Sequence, residues 1–407
     1  MKCRHCRQPL SHVFLDLGFA PPSNAYRSED DLSRPETHYP LRVRVCEHCW
    51  LVQTEDYAKA DTLFSADYAY FSSTSRTWLE HATRYAQAMT QRLSLDAESL
   101  VIEVASNDGY LLRNFLASGI PCLGIEPTDS TAEAAEALGI PVMREFFGEA
   151  LGQRLVAEGR QADLIAGNNV YAHVPDINDF TRGLKAALKP GGTVTLEFPH
   201  LMQLIANVQF DTIYHEHFSY LSLQTVVTIF ATCGLRVYDV QELTTHGGSL
   251  RVFGCHAEDD RADARAVTLL LDEEKRQGLH QLDTYTGFQA RADRVKDDLM
   301  AFLIAQKKAG LKVAAYGAAA KGNTLLNYAG VRRDLLPFVC DAATAKQGKF
   351  MPGSHIPILT PEALASENPD FVLILPWNLA AEVRQQLAPL AAQGCRFVTA
   401  VPHLEIA

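Results

Sequence analysis

Apolar strand-like runs alternate with helical segments in the middle of the chain, and this alternation restricts the fold more than any other feature. The first two runs span residues 99–104 and 122–127, and each leads into a polar turn and a helical pattern. Two further runs span residues 162–169 and 189–197, and the last of these opens with a Lys-Pro-Gly-Gly turn. Strand, helix and strand in succession predict a parallel, doubly wound sheet, so we expect an α/β fold.

The length and charge of the chain narrow its possible functions. Its 407 residues leave room for two or three domains, and a hydrophobic fraction of 47% is typical of folded proteins. The formal net charge of -11 argues against a general nucleic-acid binder, which needs a basic face to neutralise phosphates. A local basic pocket for one phosphorylated ligand remains compatible with this charge.

The sequence also bears on the compartment. No run reaches the roughly eighteen apolar residues of a membrane span, and the opening Met1–Cys6 lacks an apolar signal region. We therefore expect a cytoplasmic protein without a membrane partner. In that compartment the nine cysteines favour metal ligands and buried thiols over disulfides.

Two C-x-x-C pairs near the amino terminus predict a zinc site. Two such pairs can place four thiolates around one tetrahedral Zn²⁺, which leaves no open position and makes the site structural. The alternatives are free or redox-active thiol pairs, or a ligand role for His5 or His48, which lie inside the pairs. The predicted ligands are Cys3, Cys6, Cys46 and Cys49, whereas Cys122, Cys233, Cys255, Cys340 and Cys395 are expected to be buried thiols.

The turn after the first strand of the middle region predicts a small-molecule site. Ligands of such sheets bind at the carboxyl ends of the strands, and Glu126, at the end of the second strand, can accept bonds from ribose hydroxyls. The turn lacks the three glycines of dinucleotide-binding proteins and is similar to that of class I S-adenosylmethionine methyltransferases, with Ala105 in place of their first glycine. A sheet that binds nothing is the alternative. The expected cofactor-binding residues are Glu103, Ala105, Ser106, Asn107, Asp108, Gly109, Glu126, Asn168 and Asn169.

Two polar clusters follow the third and fourth strands. Tyr214–Tyr220 reads Y-H-E-H-F-S-Y, and its density of ionisable groups is unusual for a surface loop. A metal site is an alternative interpretation of H-x-H, although the sequence fixes no third ligand. The other cluster places His173 just past the third strand, where an isolated histidine would be structural but one beside a cofactor site is a functional candidate.

Helical patterns precede and follow the middle region. An amphipathic helix is predicted over residues 76–95, and one or two linker helices are predicted over residues 260–310. A strand, a turn of small residues and a helix follow, and Lys321 and Asn323 in that turn are candidate partners of a substrate diphosphate. A solvated lysine is the alternative for Lys321, and Trp377 either stacks on a ligand or packs in a core.

These motifs together resemble the C-methyltransferases that act on nucleotide-linked keto-deoxysugars. The resemblance covers nearly the whole chain in order. It implies domains at 1–65 (zinc-binding), 66–257 (S-adenosylmethionine-binding) and 258–407 (linker helices and a Rossmann-like domain for the substrate). The motifs are the two C-x-x-C pairs, V-I-E-V-A-S-N-D-G, N-N-V-Y-A-H-V-P-D, Y-H-E-H-F-S-Y, H-G-G-S-L-R-V, Y-G-A-A-A-K-G-N-T-L-L-N-Y and K-Q-G-K-F-M-P-G-S-H-I-P-I.

The resemblance also implies roles for individual residues. It makes His217 the general base that removes a proton from the carbon next to a ketone, with Glu216 expected to orient it. The other expected catalytic residues are Tyr214, Tyr68 and His173, and the expected substrate-binding residues are Tyr70, Ser75, Lys321 and Asn323. A catalytically idle nucleotide-sugar-binding scaffold and an O- or N-methyltransferase are the alternative functions.

Overall fold

A computed structural model describes residues 1–57 and 71–407 of the chain. Tyr68 and Tyr70 lie outside the described residues, as does the predicted domain limit between residues 65 and 66. The three predicted domain ranges stay predictions. Within the described residues, no helix has both the length and the apolar character needed to cross a membrane.

The amino-terminal domain is built on an antiparallel sheet. Its first three strands are β1 (His12–Ala20), β2 (Tyr39–Val45) and β3 (Val52–Thr54), and they lie side by side in that order. A two-residue strand from the middle of the chain, Ser219–Tyr220, pairs with β3 and forms the fourth strand of the sheet. This pairing joins the amino-terminal domain to the segment that carries His217.

The middle of the chain forms a seven-stranded sheet in the order β10-β11-β8-β7-β4-β5-β6. The strands β4 to β8 are parallel, as predicted, but β10 and β11 are antiparallel, so the sheet is mixed. The strand order reverses between β4 and β7, and ligands of such sheets bind at that point. The strands are β4 (Val101–Val104), β5 (Cys122–Ile125), β6 (Val142–Met143), β7 (Ala162–Asn168), β8 (Leu188–Pro199), β9 (Ser219–Tyr220, in the amino-terminal sheet), β10 (Leu235–Leu243) and β11 (Ser249–His256).

Seven helices of the described residues belong to this region. The first begins after Ser75, whose side chain accepts a bond from the Trp78 amide, and ends at Ser94, which has a left-handed conformation (φ 52°). It buries Ala82, Tyr85 and Met89, as the amphipathic pattern predicted. The helices are α1 (Arg76–Leu93), α2 (Leu112–Ala117), α3 (Asp129–Ala137), α4 (Glu149–Ala157), α5 (Ile177–Ala187), α6 (Leu201–Ala206) and α7 (Leu223–Thr232).

Three linker helices, rather than one or two, lead into a six-stranded carboxy-terminal sheet. Its order is β14-β13-β12-β15-β16-β17, and every neighbouring pair is parallel except β16 with β17. The linker helices are α8 (Arg265–Arg276), α9 (Leu282–Thr286) and α10 (Phe288–Lys308). The remaining elements are β12 (Val313–Tyr316), α11 (Ala320–Ala329), β13 (Val339–Cys340), β14 (Ile358–Leu359), α12 (Glu362–Glu367), β15 (Phe371–Ile374), α13 (Ala380–Gln386), α14 (Ala388–Ala391), β16 (Arg396–Thr399) and β17 (Glu405–Ile406).

The amino-terminal and carboxy-terminal domains share one hydrophobic core. Phe14 of β1 stacks on Phe288 of α10 with ring centroids 4.6 Å apart, and both side chains are buried. The Tyr26 hydroxyl donates to the Ala318 carbonyl, and Arg27 pairs with Phe350 across the same junction. The amino-terminal domain is therefore stabilised by its packing on the linker helices and the carboxy-terminal domain, in addition to any stabilisation from a metal ion. The cysteines outside the two pairs are buried, as predicted.

Candidate active site and metal centre

The four predicted metal ligands come together. The Sγ atoms of Cys3, Cys6, Cys46 and Cys49 all lie within 4.8 Å of one another. The Sγ of Cys3 is 3.6 Å from that of Cys49, and the Sγ of Cys6 is 3.5 Å from that of Cys46. Hydrogen bonds from Cys46 and Cys49 hold the pKa of the Cys3 thiol well below its usual range. Four sulfur atoms at these separations fit a tetrahedral Zn²⁺ with Zn–S bonds of about 2.3 Å.

Both C-x-x-C turns have the same backbone geometry. The amide of Arg7 donates to the Cys3 carbonyl, and that of Trp50 donates to the Cys46 carbonyl. Arg7 and Trp50 both have a positive φ, at 63° and 59°. The Gln53 amide also donates to the Cys3 Sγ, which is an outer contact of the kind that orients metal ligands. In residues 1–57 and 71–407, no other group of three or more His, Cys, Asp and Glu side chains could hold a metal ion.

The turn after β4 holds several residues in the left-handed region. Ala105 has φ 57°, Asn107 φ 48° and Gly109 φ 76°. At Gly109 a Cβ would lie 2.5 Å from the Ile140 Cδ1, so a glycine is needed there for space as well as for conformation. Ala105 adopts the same conformation although it has a Cβ, so the backbone of the turn is strained at this residue.

Polar atoms without partners line the carboxyl ends of β4 and β7. Burial raises the pKa of Glu103 well above its usual range, and the Tyr110 hydroxyl approaches this carboxyl without a well-directed bond. Buried polar atoms in folded proteins normally have partners, so this set fits a polar ligand such as S-adenosylmethionine. Among the described residues, the atoms without a partner include both carboxylate oxygens of Glu103, the Ser106 hydroxyl, the Asp108 Oδ1, the side-chain amide of Asn168 and the Asn169 Oδ1.

Glu126 is fixed at the end of β5 next to this turn. Its Oε2 accepts a bond from the Asn107 amide at 3.0 Å, and its Oε1 accepts one from the Thr128 amide at 2.9 Å. The side chain is buried, and it faces the turn rather than solvent. An acid at this position can accept hydrogen bonds from the hydroxyls of a ribose. Both carboxylate oxygens of Glu126 already accept one bond from a backbone amide.

Residues 72 and 73 lie over the same turn. The Ser72 amide donates to the Asn107 Oδ1 at 2.9 Å, and the Ser73 amide donates to the Asp108 Oδ2 at 3.0 Å. Ser75 is exposed and its hydroxyl caps α1, which gives it a structural role that the sequence did not predict.

His217 is buried and uncharged. Its Nδ1 lies 2.9 Å from the Thr212 carbonyl oxygen, and because a carbonyl can only accept, Nδ1 carries the proton and Nε2 the lone pair. Burial lowers its pKa well below the usual range, and His173, His246 and Lys321 lower it further. The Tyr214 ring lies 4.0 Å from the imidazole between centroids. The residue is therefore an available proton acceptor at neutral pH.

Glu216 does not orient His217, contrary to expectation. Its Oε1 accepts a bond from the Asn24 amide at 3.3 Å, and the Thr212 carbonyl orients the imidazole instead. Burial raises the pKa of Glu216, and its Oε2 has no partner among the described residues. Asn24 belongs to the amino-terminal domain, so that domain forms one wall of the site.

His173 lies against His217 as the sequence suggested. Its Nδ1 donates to the Glu216 carbonyl at 2.8 Å, and its ring centroid is 4.6 Å from that of His217. Burial lowers the pKa of His173 to about 4. His173 and His217 are thus both neutral. Their contact is also where the segment after β7 meets the Tyr214–Tyr220 segment.

The carboxy-terminal domain contributes a lysine to the same cleft. The Lys321 Nζ donates to the Asn378 Oδ1 at 2.6 Å and lies 4.5 Å from the centroid of the Trp377 ring. The Trp377 Nε1 donates to the buried Asp211 at 2.7 Å. Burial raises the pKa of Asp211 to about 6 and lowers that of Lys321, and each charge opposes the shift of the other. Trp377 therefore joins the two domains rather than lying in one core.

Asn323 has a different environment from Lys321. It is fully buried, and its amide donates to the Ser23 carbonyl at 2.7 Å. This contact joins the amino-terminal segment to α11 and gives Asn323 a structural role that the sequence did not predict.

Sequence reasoning did not assign His246, which lies in this cleft between β10 and β11. The Asn169 side chain contacts its Nε2 at 3.2 Å, and the Trp78 ring is 5.3 Å away between centroids. The motif H-G-G-S-L-R-V could have singled out His246, because its two adjacent glycines permit backbone conformations that other residues rarely adopt. Gly247 leaves room for the Trp377 ring, which a Cβ would strike.

Three family models match successive parts of the chain. Residues 3–64 match the family described as "Putative zinc binding domain". Residues 78–240 match "Methyltransferase domain", and residues 244–402 match "C-methyltransferase C-terminal domain".

Individual relatives extend this likeness over the whole chain. The C-methyltransferase NovU of Streptomyces niveus is 35% identical over 402 residues, which cover 99% of this chain and 96% of the relative. The ubiquinone biosynthesis O-methyltransferase of Methylobacterium nodulans is 33% identical over 105 residues, or 25% of this chain and 40% of the relative. Among solved structures, the glycopeptide N-methyltransferase MtfA with S-adenosylmethionine has a TM-score of 0.34 at 13% identity and covers 43% of this chain and 94% of its own.

The sheet and its strand-end site are those of an S-adenosylmethionine-dependent methyltransferase of α/β fold. The chain belongs to the C-methyltransferase family, with an amino-terminal zinc-binding domain and a carboxy-terminal domain on a mostly parallel sheet. Both the predicted fold class and the resemblance drawn from the motifs are confirmed.

Proposed function

We propose that the protein methylates the carbon next to the ketone of a nucleotide-linked 4-keto-deoxysugar, with His217 as the general base. One observation carries this proposal: the His217 Nδ1 donates to the Thr212 carbonyl, which leaves the Nε2 lone pair free to take a proton. A neutral imidazole is an effective base near pH 7. We take the reaction type, methylation of carbon, from the family. We take the substrate class, a nucleotide-linked keto-deoxysugar, from the resemblance of the motifs.

The residues around the turn after β4 are suited to hold the cofactor. When bound, S-adenosylmethionine supplies an electrophilic methyl group. Asp108 and Asn168 offer unpartnered polar atoms to its charged methionine end, and Glu126 lies where a ribose would be. The backbone amides of Ser72 and Ser73 donate to the side chains of Asn107 and Asp108 in this turn.

The substrate would lie between the middle and carboxy-terminal domains. Lys321 of the latter domain faces the cleft, and we assign it to an anionic group of the substrate, as the sequence suggested. Asn323 is left out of this assignment because its side chain is buried against Ser23. Tyr214 and His173 surround the base and shape the space in which the sugar ring would lie.

The reaction is tested by proton exchange in D₂O. The purified protein is incubated with a panel of nucleotide-linked 4-keto-deoxysugars, with and without S-adenosylmethionine, and the products are analysed by mass spectrometry. We expect one carbon position to gain deuterium without cofactor and a methyl group with it. A methyl group on oxygen or nitrogen, with no proton exchange, would overturn the proposal in favour of an O- or N-methyltransferase.

The role of His217 is tested with two histidine variants of the same motif. His217→Asn keeps a donor for the Thr212 carbonyl but removes the base, and we expect exchange to fall about 100- to 10,000-fold. His215→Asn is the matched control, since His215 packs beside Tyr39 rather than beside the base. Equal losses in both variants would contradict a specific role for His217, and their melting temperatures would show whether both fold.

A further inference from the structure

His246 has an unusual backbone conformation at the mouth of the cleft. Its φ of 54° and ψ of 20° lie in the left-handed region, where a histidine is uncommon. Its hydrogen-bonding neighbour Asn169 has φ 55°, so two residues other than glycine adopt the left-handed region at one contact, although asparagine tolerates it. Strain of this kind persists where the surrounding structure enforces it, and it is concentrated at functional sites.

Several contacts hold the loop in this conformation. The Thr245 hydroxyl donates to the buried Glu197 at 3.1 Å, and the Gln209 amide donates to the Gly247 carbonyl at 2.7 Å. His81 and Arg251 fix the same Glu197 carboxylate from the other side, at 3.0 Å and 2.6 Å. The loop is therefore attached to a buried charge cluster, and the imidazole has little freedom to turn away.

The neighbours of the ring also define which nitrogen carries its proton. The Asn169 Nδ2 can only donate, so the Nε2 of His246 accepts and the proton lies on Nδ1. Among the described residues, no hydrogen-bond partner contacts that Nδ1, and the residue is partly exposed in the cleft. The charged or titratable groups around the ring are Lys321, Glu197 and His81. Burial and the Lys321 charge lower the pKa of His246 to about 4.

We propose that His246 donates its Nδ1 proton in a hydrogen bond to the substrate oxygen that becomes charged when His217 removes the carbon-bound proton. This inference rests on the proposed function and adds a second imidazole to it. The two rings border the same strand end: His246 contacts Asn169, which directly follows β7, and the His173 ring, four residues further along that segment, lies 4.6 Å from the His217 ring between centroids.

The electron pairs balance without a further reactant. The proton passes from carbon to the Nε2 of His217, the C–H pair becomes a C=C bond, and the C=O π pair moves to the oxygen. His246 keeps its own proton and stabilises that oxygen through the hydrogen bond. When the carbon gains the methyl group, the C=C pair forms the new C–CH₃ bond, the oxygen pair re-forms the C=O bond, and the pair of the broken S–CH₃ bond would stay on the sulfur of the cofactor. A neutral imidazole suits this role because its N–H is a weak acid that donates without giving up the proton.

Variants of His246 with matched shape test the proposal. His246→Asn and His246→Asp both tolerate the left-handed conformation, but only asparagine keeps a donor. We expect His246→Asn to retain exchange within about tenfold of the wild type and His246→Asp to lose about 100- to 1,000-fold. His246→Gly relieves the strain and removes the donor, and it should lose as much as His246→Asp. Exchange in His246→Asp or His246→Gly within threefold of the wild type, or equal losses in all three variants, would overturn the proposal.

A second measurement does not depend on turnover. In protein labelled with ¹⁵N-histidine, the resonance that His246→Asn removes should show a neutral ring protonated at Nδ1. Protonation at Nε2 would overturn the proposal even if the variants failed to fold. If the wild type gives proton exchange and carbon methylation while the His246 variants stay active, the inference alone fails. If the wild type gives neither across the panel, the proposed function fails and the inference fails with it.

Discussion

The Nδ1 of His217 lies 2.9 Å from the carbonyl oxygen of Thr212, and this contact fixes which nitrogen of the imidazole carries the proton. A carboxylate in that position would stabilise the protonated ring strongly, whereas a carbonyl stabilises it less. The ring is also buried beside His173, so its pKa falls well below the usual range. The imidazole of His217 is thus kept in its neutral form.

The first prediction concerns the pH profile of the reaction. Since the pKa of His217 is lowered, the neutral form dominates at pH 7 and protonation sets in only as the pH falls below the ordinary histidine range. We expect kcat/KM to be flat above pH 7 and to fall tenfold per pH unit in acid, with a midpoint below about 6.5. Initial rates in a buffer series check this, and a midpoint at or above 7 would contradict the assignment of the base.

The second prediction concerns the strained alanine of the cofactor turn. Ala105→Gly removes a methyl group from a position with φ 57°, so we expect S-adenosylmethionine to bind equally well or up to about fivefold more tightly. Stability should change by less than about 1 kcal/mol, because relief of strain offsets the added freedom of the unfolded chain. Isothermal titration calorimetry and denaturant unfolding measure the two effects.

Ser94→Gly is the control for this variant. Ser94 has φ 52° at the end of α1, away from the cofactor turn, so its substitution should change stability without changing affinity. Weaker cofactor binding in Ala105→Gly would mean that the methyl group contributes to the site.

The third prediction concerns the metal. Wild-type protein should contain about one zinc ion per chain, and Cys46→Ser should lose most of it, since three thiolates bind less tightly than four. The melting temperature should fall by about 5 °C or more, because the metal stabilises the folded domain. Elemental analysis and thermal unfolding test this. Cys395→Ala removes a buried thiol outside the cluster and should leave the zinc content unchanged.

The fourth prediction concerns the junction of Trp377 with Asp211. Trp377→Phe keeps a ring for the Lys321 cation but removes the donor of the 2.7 Å bond. The bond favours the charged carboxylate, whose pKa is about 6, so its contribution is full above that pH and declines as the pH falls through it. We expect a loss of about 2 kcal/mol at pH 8 and a smaller loss at pH 5.

Denaturant unfolding of four proteins measures this junction: the wild type, both single variants and the double variant with Asp211→Asn. In the Asp211→Asn background the effect of Trp377→Phe should no longer depend on pH. A pH-dependent effect that persists there would assign the titration to another group.

Local patterns in the sequence predicted the elements but not all of their partners. The strands β4, β5 and β7 each follow from an apolar run that ends in a polar turn. No strands were predicted at β10 and β11; these two follow each other along the chain and pair as a hairpin, but the antiparallel pairing of β11 with β8 joins distant residues that local patterns do not connect. The same limit hid β9, whose two residues pair with a strand of the amino-terminal domain.

The site was predictable where residue type alone carries the chemistry. Four cysteines in two spaced pairs have few other uses, and His217 stands out by its motif. Roles that depend on where a side chain points could not be predicted. Glu216 is adjacent to His217 in sequence, but its side chain hydrogen bonds with Asn24. Likewise Asn323 lies two residues from Lys321, and about half a turn of helix places it on the opposite face, where it is buried against Ser23.

Gln53 connects the cysteine cluster to the segment that carries His217. Its side chain donates to the Cys3 sulfur, and its backbone pairs with Ser219, two residues beyond His217. The Thr54 hydroxyl next to it donates to the carbonyl of His217 itself. The neighbouring residues Gln53 and Thr54 thus link the cysteine cluster to that segment at two points. Loss of metal from the cysteine cluster should therefore slow turnover as well as lower the melting temperature, because Gln53 contacts the cluster and both residues contact the segment that carries His217.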